Sequence, residues 1–127
     1  MKLRLADIAH ARSGDKADRA DIGLFAWDAA GYELLRGAVT HERLAEHFRH
    51  LLGADADASR VHLWLLPKLL AIKIVLDGAL DGGAASSLRS DNLGKTIGAQ
   101  LLRMQIEVAD AAARCALDGA RRAIEGF

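Results

Sequence analysis

The sequence predicts an α+β domain, on three observations. Short apolar runs at Leu3, Leu5 and Ile8, at Ile22, Leu24, Phe25 and Trp27, and at Val61, Leu63 and Leu65 have the character and spacing of strands. Around Leu44 to Leu52 and from Ile97 to Cys115 the apolar residues recur instead at helical spacing. The 127 residues contain no internal repeat, so a solenoid is excluded and one domain with its own core is expected.

Lys2 to Ala9 and Asp21 to Trp27 read as the first two strands. A dense polar loop, His10 to Lys16, separates them, and Asp28 to Gly31 reads as the turn that ends the second. Tyr32 to Val39 fits a short helical piece weakened by Gly37. Thr40 is a suitable N-cap for a helix from His41 to Leu52, where Leu44, Phe48 and Leu51 or Leu52 share a face and Gly53 closes the end. After a polar loop from Asp55 to Ser59, Arg60 to Leu66 alternates as a third strand that Pro67 should end. Lys68 to Leu80 is almost continuously apolar, which suits a buried helix or a fully buried strand, and helix is the preferred reading.

Asp81 to Ser87 is a glycine and serine loop, followed by a turn at Asp91 to Gly94. Beyond it Ile97, Leu101, Met104, Val108 and Cys115 keep helical spacing, with Arg103 and Glu107, Asp110 and Arg114, and Asp118 and Arg122 four apart on polar faces. An unbroken helix from Lys95 to Glu125 would run about 45 Å at 1.5 Å per residue. That exceeds the diameter of so small a domain, so a homo-oligomer contact through this helix is expected; the alternative is a break near Gly119.

Seventeen basic and seventeen acidic residues cancel, so the surplus of positive charge that binds nucleic acid is missing and no such partner is expected. Cys115 stands alone, which excludes an intramolecular disulfide, and no Cys/His spacing suits zinc. Charges at Lys68, Lys73 and Asp77 break the longest apolar region, so no membrane span is expected. The start of the chain lacks a signal-peptide pattern, and a cytoplasmic location is expected.

The two polar loops are the candidate site. Arg12, Lys16, Arg89 and Lys95 would form an anion pocket if the loops converge, with Ser13 as a further contact and Gly14, Gly82 and Gly83 permitting close backbone approach. Asp15, Asp18, Asp21 and Asp91 could equally neutralise those cations within the protein. His10, Ser13 and Asp15 include the residue types of a hydrolytic triad but crowd into one loop, so His10 alone is the better general base, with Asp15 orienting it. Gly94, Lys95 and Thr96 resemble the end of a phosphate-binding P-loop, yet Arg89 stands where that pattern requires glycine. His41, His47 and His50 lie on or beside one helix, where a solvated face is the better reading; neither a metal nor a cofactor is assigned.

The segment from Asp7 through Asp28, with His10 to Lys16 followed by Asp21, Ile22 and Gly23, resembles the carboxy-terminal domain of the acyclic terpene utilisation (AtuA) family. Leu66 and Pro67, Leu76 to Leu80, Gly82 and Gly83, Ser87 to Arg89, Asp91 to Thr96 and Leu101 to Met104 are similar to its later motifs, in the same order. The resemblance covers residues 3–107 and implies a compact ferredoxin-like domain, here in its stand-alone form. Residues 108–127 lie beyond it, as a helical extension of the same domain assigned to association.

The resemblance also implies a link to catabolism of branched terpenoid acids as coenzyme A thioesters, and a large AtuA-like partner. Ala17 and Asp21 depart from the glycine and asparagine the family pattern leads one to expect, and Lys73 from an amide side chain. The expected function is an accessory or ligand-binding subunit for an acidic or acyl-coenzyme A ligand. A small enzyme acting on an acyl-coenzyme A or hydroxy-acid substrate, with His10 as base, and a purely structural oligomerisation module are the alternatives.

Overall fold

The computed structural model describes residues 1–53, 56–83, 87, 90–91 and 93–126. Arg89 and parts of the loops around Asp55 and Asn92 lie outside them.

The polar stretch expected to be a loop is a strand. β1 covers only Lys2–Arg4; a 3-10 turn at Leu5–Asp7 follows, and β2 runs Ala9–Lys16. β2 pairs antiparallel with β3 (Arg19–Ala26) from Ala9↔Ala26 to Lys16↔Arg19. The physical reason lies in β2's position at the edge of its sheet. Charge on an edge strand blocks unwanted pairing, and only one face has to enter a core. Ala17 and Asp18 close the hairpin, with Ala17 at φ 59°, the left-handed region that glycine occupies without strain.

Asp28 to Gly31 is not a terminating turn. The Asp28 carboxylate accepts the Gly31 N–H at 2.8 Å and caps α1, Ala29–Ala38. Thr40 caps the next helix as expected, accepting from the Arg43 N–H. The helix divides at Phe48 into α2, His41–His47, and α3, Arg49–Leu52, before Gly53 ends it at φ 80°.

β4, Val61–Leu66, matches the expected strand, and Pro67 opens a 3-10 turn. The apolar run after it is β5, Ala71–Leu76, not a helix. Ile72, Ile74 and Leu76 are buried, while Ala71, Lys73 and Val75 take the opposite face. Three β-branched residues in six, flanked by a strand on each side, favour the extended form.

The sheet order is β2-β3-β5-β4, antiparallel throughout, so β3 and β4 run parallel with β5 between them. The helices joining β3 to β4 therefore make a split β-α-β crossover. Helices cover one face of the sheet, where Ala20, Ile22 and Leu24 of β3 and Ile72, Ile74 and Leu76 of β5 form the centre of the core. The result is an α+β ferredoxin-like domain.

The expected terminal helix is interrupted. α4 is Ile97–Leu102, β6 is Gln105–Glu107, and α5 is Asp110–Glu125. β6 pairs with β1, burying Ile106 beside Leu3. Met104, Ile106 and Val108 also fit a period of two, which the helical spacing of their neighbours concealed. α5, about 24 Å long at 16 residues, packs Ala113, Ala116 and Ala120 along α1 of the same chain. Its length therefore gives no reason to place it on another subunit. Among the described residues no helix is long and apolar enough to cross a membrane.

Candidate functional site

Alternation along β2 divides the polar stretch between two faces. Ala11 and Ser13 look toward α4. His10, Arg12, Gly14 and Lys16 look out on the uncovered face, where the register sets His10 beside Phe25 and Arg12 beside Gly23.

Ser13 is fully engaged: its hydroxyl donates to the Gly94 carbonyl at 2.6 Å and accepts the Gly98 N–H at 2.8 Å. It is a tie between strand and helix, not a free nucleophile. His10 and Asp15 are not brought together. Five residues apart on a strand, they stand about 16 Å from one another along the chain at positions of opposite alternation, and Asp15, near the hairpin end, still borders the pocket that Arg12 lines. His10 stacks instead on Phe25, ring centres 5.3 Å apart at 19°, and meets Trp27 in a tilted contact, 4.4 Å apart at 37°.

The second loop does converge on the first. The Gly82 N–H donates to Asp18 at 2.7 Å, and a Cβ on Gly83, at φ 98°, would lie 3.1 Å from the Ala17 carbonyl oxygen. These glycines let the loop approach the β2–β3 turn. Gly94, at φ 67°, sits so close to β2 that a Cβ would be 2.9 Å from the Gly14 carbonyl oxygen. This approach carries Lys95 over the strand edge, where its ammonium would meet a Cβ on Gly14 at 3.1 Å.

Arg12, Gly14, Lys16 and Lys95 consequently line one pocket of about 320 Å³, together with Asp15, Asp21, Gly23, Phe25, Leu66 and Lys73. Asp21 and Lys73, the two charged departures from the family pattern, form an ion pair with each other across β3 and β5. Asp18 is committed to Gly82. Asp91 accepts from the Lys95 and Thr96 N–H groups at 2.8 and 3.1 Å and from the Thr96 hydroxyl at 2.6 Å. Those amides are the donors a P-loop would offer to phosphate, and here a carboxylate occupies them. Among the described residues, Arg12, Lys16 and Lys95 have no ion-pair partner.

Sequence reasoning did not set Phe25, Asp21 and Gly23 on one face or Leu66 beside them; it reads Asp21 as a counter-charge and, with Lys73, as a departure from the family pattern. Once β2 is a strand, period two and the β3 register put the first three on one face, so the signal was present but tied to the strand assignment. A separate polar group was also missed: His62 meets Asp77 at 2.7 Å, and Arg19 holds the other Asp77 oxygen at 3.1 Å. His47 and His50 both turn to Gln100, one to its backbone oxygen at 2.8 Å and one to its side-chain oxygen at 2.9 Å.

No curated protein and no solved structure matches the chain. Residues 3–107 match the family model of the AtuA ferredoxin-like domain. That span takes in the four-stranded sheet, both polar segments and the closing strand β6, and the chain belongs to the AtuA ferredoxin-like domain family.

Proposed function

We propose that the chain is an accessory or ligand-binding subunit that holds an acidic ligand, such as an acyl-coenzyme A ester, in the pocket on the open face of its sheet. One observation carries this reading: Arg12, Lys16 and Lys95 share a concave site while the nearby carboxylates, except Asp15, are engaged elsewhere. Cations held together without internal counter-charges lower the cost of desolvating an incoming anion. Gly14 and Gly23 keep the floor of the pocket open to that anion. The enzymatic alternative has less support, since His10 lacks the Asp15 partner it would need.

The family membership supports a role in branched acyl-coenzyme A catabolism beside a large AtuA-like protein. Self-association has better support at the sheet edge than at α5, because β4 leaves Trp64, Leu65 and Leu66 exposed.

Titration calorimetry of the purified chain with an acyl-coenzyme A ester tests the reading. Loss of one charge-assisted contact in Arg12→Ala or Lys95→Ala should weaken binding roughly 10- to 100-fold, with the melting temperature unchanged. Arg89→Ala belongs in the same series. Affinity that survives both Arg12→Ala and Lys95→Ala would place the ligand elsewhere, and absence of binding to the parent chain would refute the reading.

A further inference from the structure

The charge balance and the rings beside the pocket narrow the class of ligand. Lys73 and Asp21 cancel. Arg12, Lys16 and Lys95 set against Asp15 leave two positive charges in excess among the described pocket residues. A single carboxylate would neutralise half of that excess, whereas a phosphate monoester, at about −2, matches it and a nucleoside diphosphate, at about −3, more than neutralises it.

Next to these cations lies a group of aromatic rings. Phe25 lines the pocket itself, and exposed His10 stacks on Phe25 with Trp27 tilted against it. His10 is exposed and precedes Arg12 by one step on the same face, about 7 Å along β2. Gly23, opposite Arg12, has no side chain to separate rings from cations; a Cβ there would come within 2.9 Å of the Phe25 ring. Cations that track phosphates beside an aromatic shelf open to a planar base are the two elements by which sheet surfaces hold nucleotides.

We propose that the pocket recognises a nucleoside diphosphate group, with the phosphates on Arg12, Lys16 and Lys95 and the base stacked on His10 at the edge of the Phe25 and Trp27 shelf. This rests on the reading of the pocket as an anion site and adds the stacking half to it. The same chemistry is found in a free nucleotide and in the nucleotide portion of coenzyme A. Stronger binding of coenzyme A than of ADP would assign the second source, and equal binding the first.

The test measures binding of ADP, coenzyme A, pyrophosphate and acetate to the full chain and to His10→Ala, His10→Phe and Arg12→Ala. The proposal expects ADP to bind at least tenfold more tightly than pyrophosphate. His10→Ala should lower ADP affinity roughly 5- to 100-fold while sparing pyrophosphate, His10→Phe should restore it, and Arg12→Ala should weaken both ligands. ADP binding no tighter than pyrophosphate, or equal losses for both ligands in His10→Ala, would overturn the stacking site and leave the anion pocket standing. Acetate binding as tightly as ADP would do the same. Failure of every anion to bind would overturn both readings.

Discussion

Gly119 and Gly37 are both helical glycines, and the same substitution at each should have opposite effects. In α5, Gly119 faces the Asp28 carboxylate that caps α1. A Cβ there would overlap Oδ2 and Cγ of Asp28 and lie 3.0 Å from Oδ1. Gly119→Ala forces one of two adjustments. Asp28 can turn away and release the Gly31 N–H, a lost cap costing about 0.5–2 kcal/mol. Alternatively α5 can lift from α1, straining the buried alanine contacts by about 1–3 kcal/mol. Against either stands a gain of about 1 kcal/mol from alanine's helix propensity.

The methyl meets the rigid end of a short side chain, so both costs are incurred in part. The net loss should be about 0.5–2 kcal/mol, or roughly 2–8 °C in melting temperature for a domain of this size. At Gly37, on the exposed side of α1, a Cβ meets nothing within 4 Å, so Gly37→Ala should raise stability by about 1 kcal/mol. Urea denaturation followed by circular dichroism measures both. Combining Gly119→Ala with Asp28→Ser, a shorter cap, should recover part of the loss as a coupling energy. If Gly119→Ala melts at or above the parent, the close approach of α5 to the α1 cap does not exist as described.

Ser13→Ala leaves the Gly98 N–H and the Gly94 carbonyl without their shared partner, and should cost about 1–3 kcal/mol in chemical denaturation. Lys73→Met strands the mostly buried Asp21 carboxylate. Because the lysine is 39 % exposed, the loss should be held to about 1–2 kcal/mol, and the uncharged pair Asp21→Asn with Lys73→Gln should recover most of it. Asp57 has its pKa lowered below 3.8, first by the Ser59 hydroxyl and then by the Ser59 N–H. Its stabilising contribution is therefore complete above its ordinary value and lost as pH falls through the lowered one. Asp57→Asn should flatten the acid limb of a stability profile below about pH 4, and an unchanged slope there would remove the effect.

Strands with a strongly apolar face, and helices with a clear cap, were readable from sequence: β3, β4 and α2 follow the alternation and the Thr40 signal closely. The errors have one physical source, elements whose character depends on neighbours. β2 is polar because it is an edge; β5 has an apolar face on the core and an open face of Ala71, Lys73 and Val75, and its extended form depends on a strand on each side. Gln105 to Glu107 pair with an N-terminal strand that lies about a hundred residues away in sequence. The cations of the site were identified individually, but Phe25, Gly23 and Lys73 join them only through cross-strand register, which no local spacing encodes.

As a strand, His10 to Lys16 keeps its large side chains, His10, Arg12 and Lys16, on even positions of the open face. Its helix-facing positions are Ala11 and Ser13, small enough for α4 to approach until a Cβ on Gly98 would stand 3.4 Å from both side chains. The Ser13 hydroxyl then binds the backbone at Gly94 and Gly98, on either side of Lys95 in sequence, which fixes where that lysine leaves the chain. Gly14 leaves the space on the opposite face that the lysine's ammonium enters. Arg12 and Lys95 come from segments more than eighty residues apart, yet one strand sets both: its even positions supply the first cation, and its odd positions anchor the second. A one-residue slip of β2 would exchange the two sets, placing Arg12 against α4 and Ser13 on the open face. The register of a single edge strand thus determines whether the pocket's positive charge exists at all.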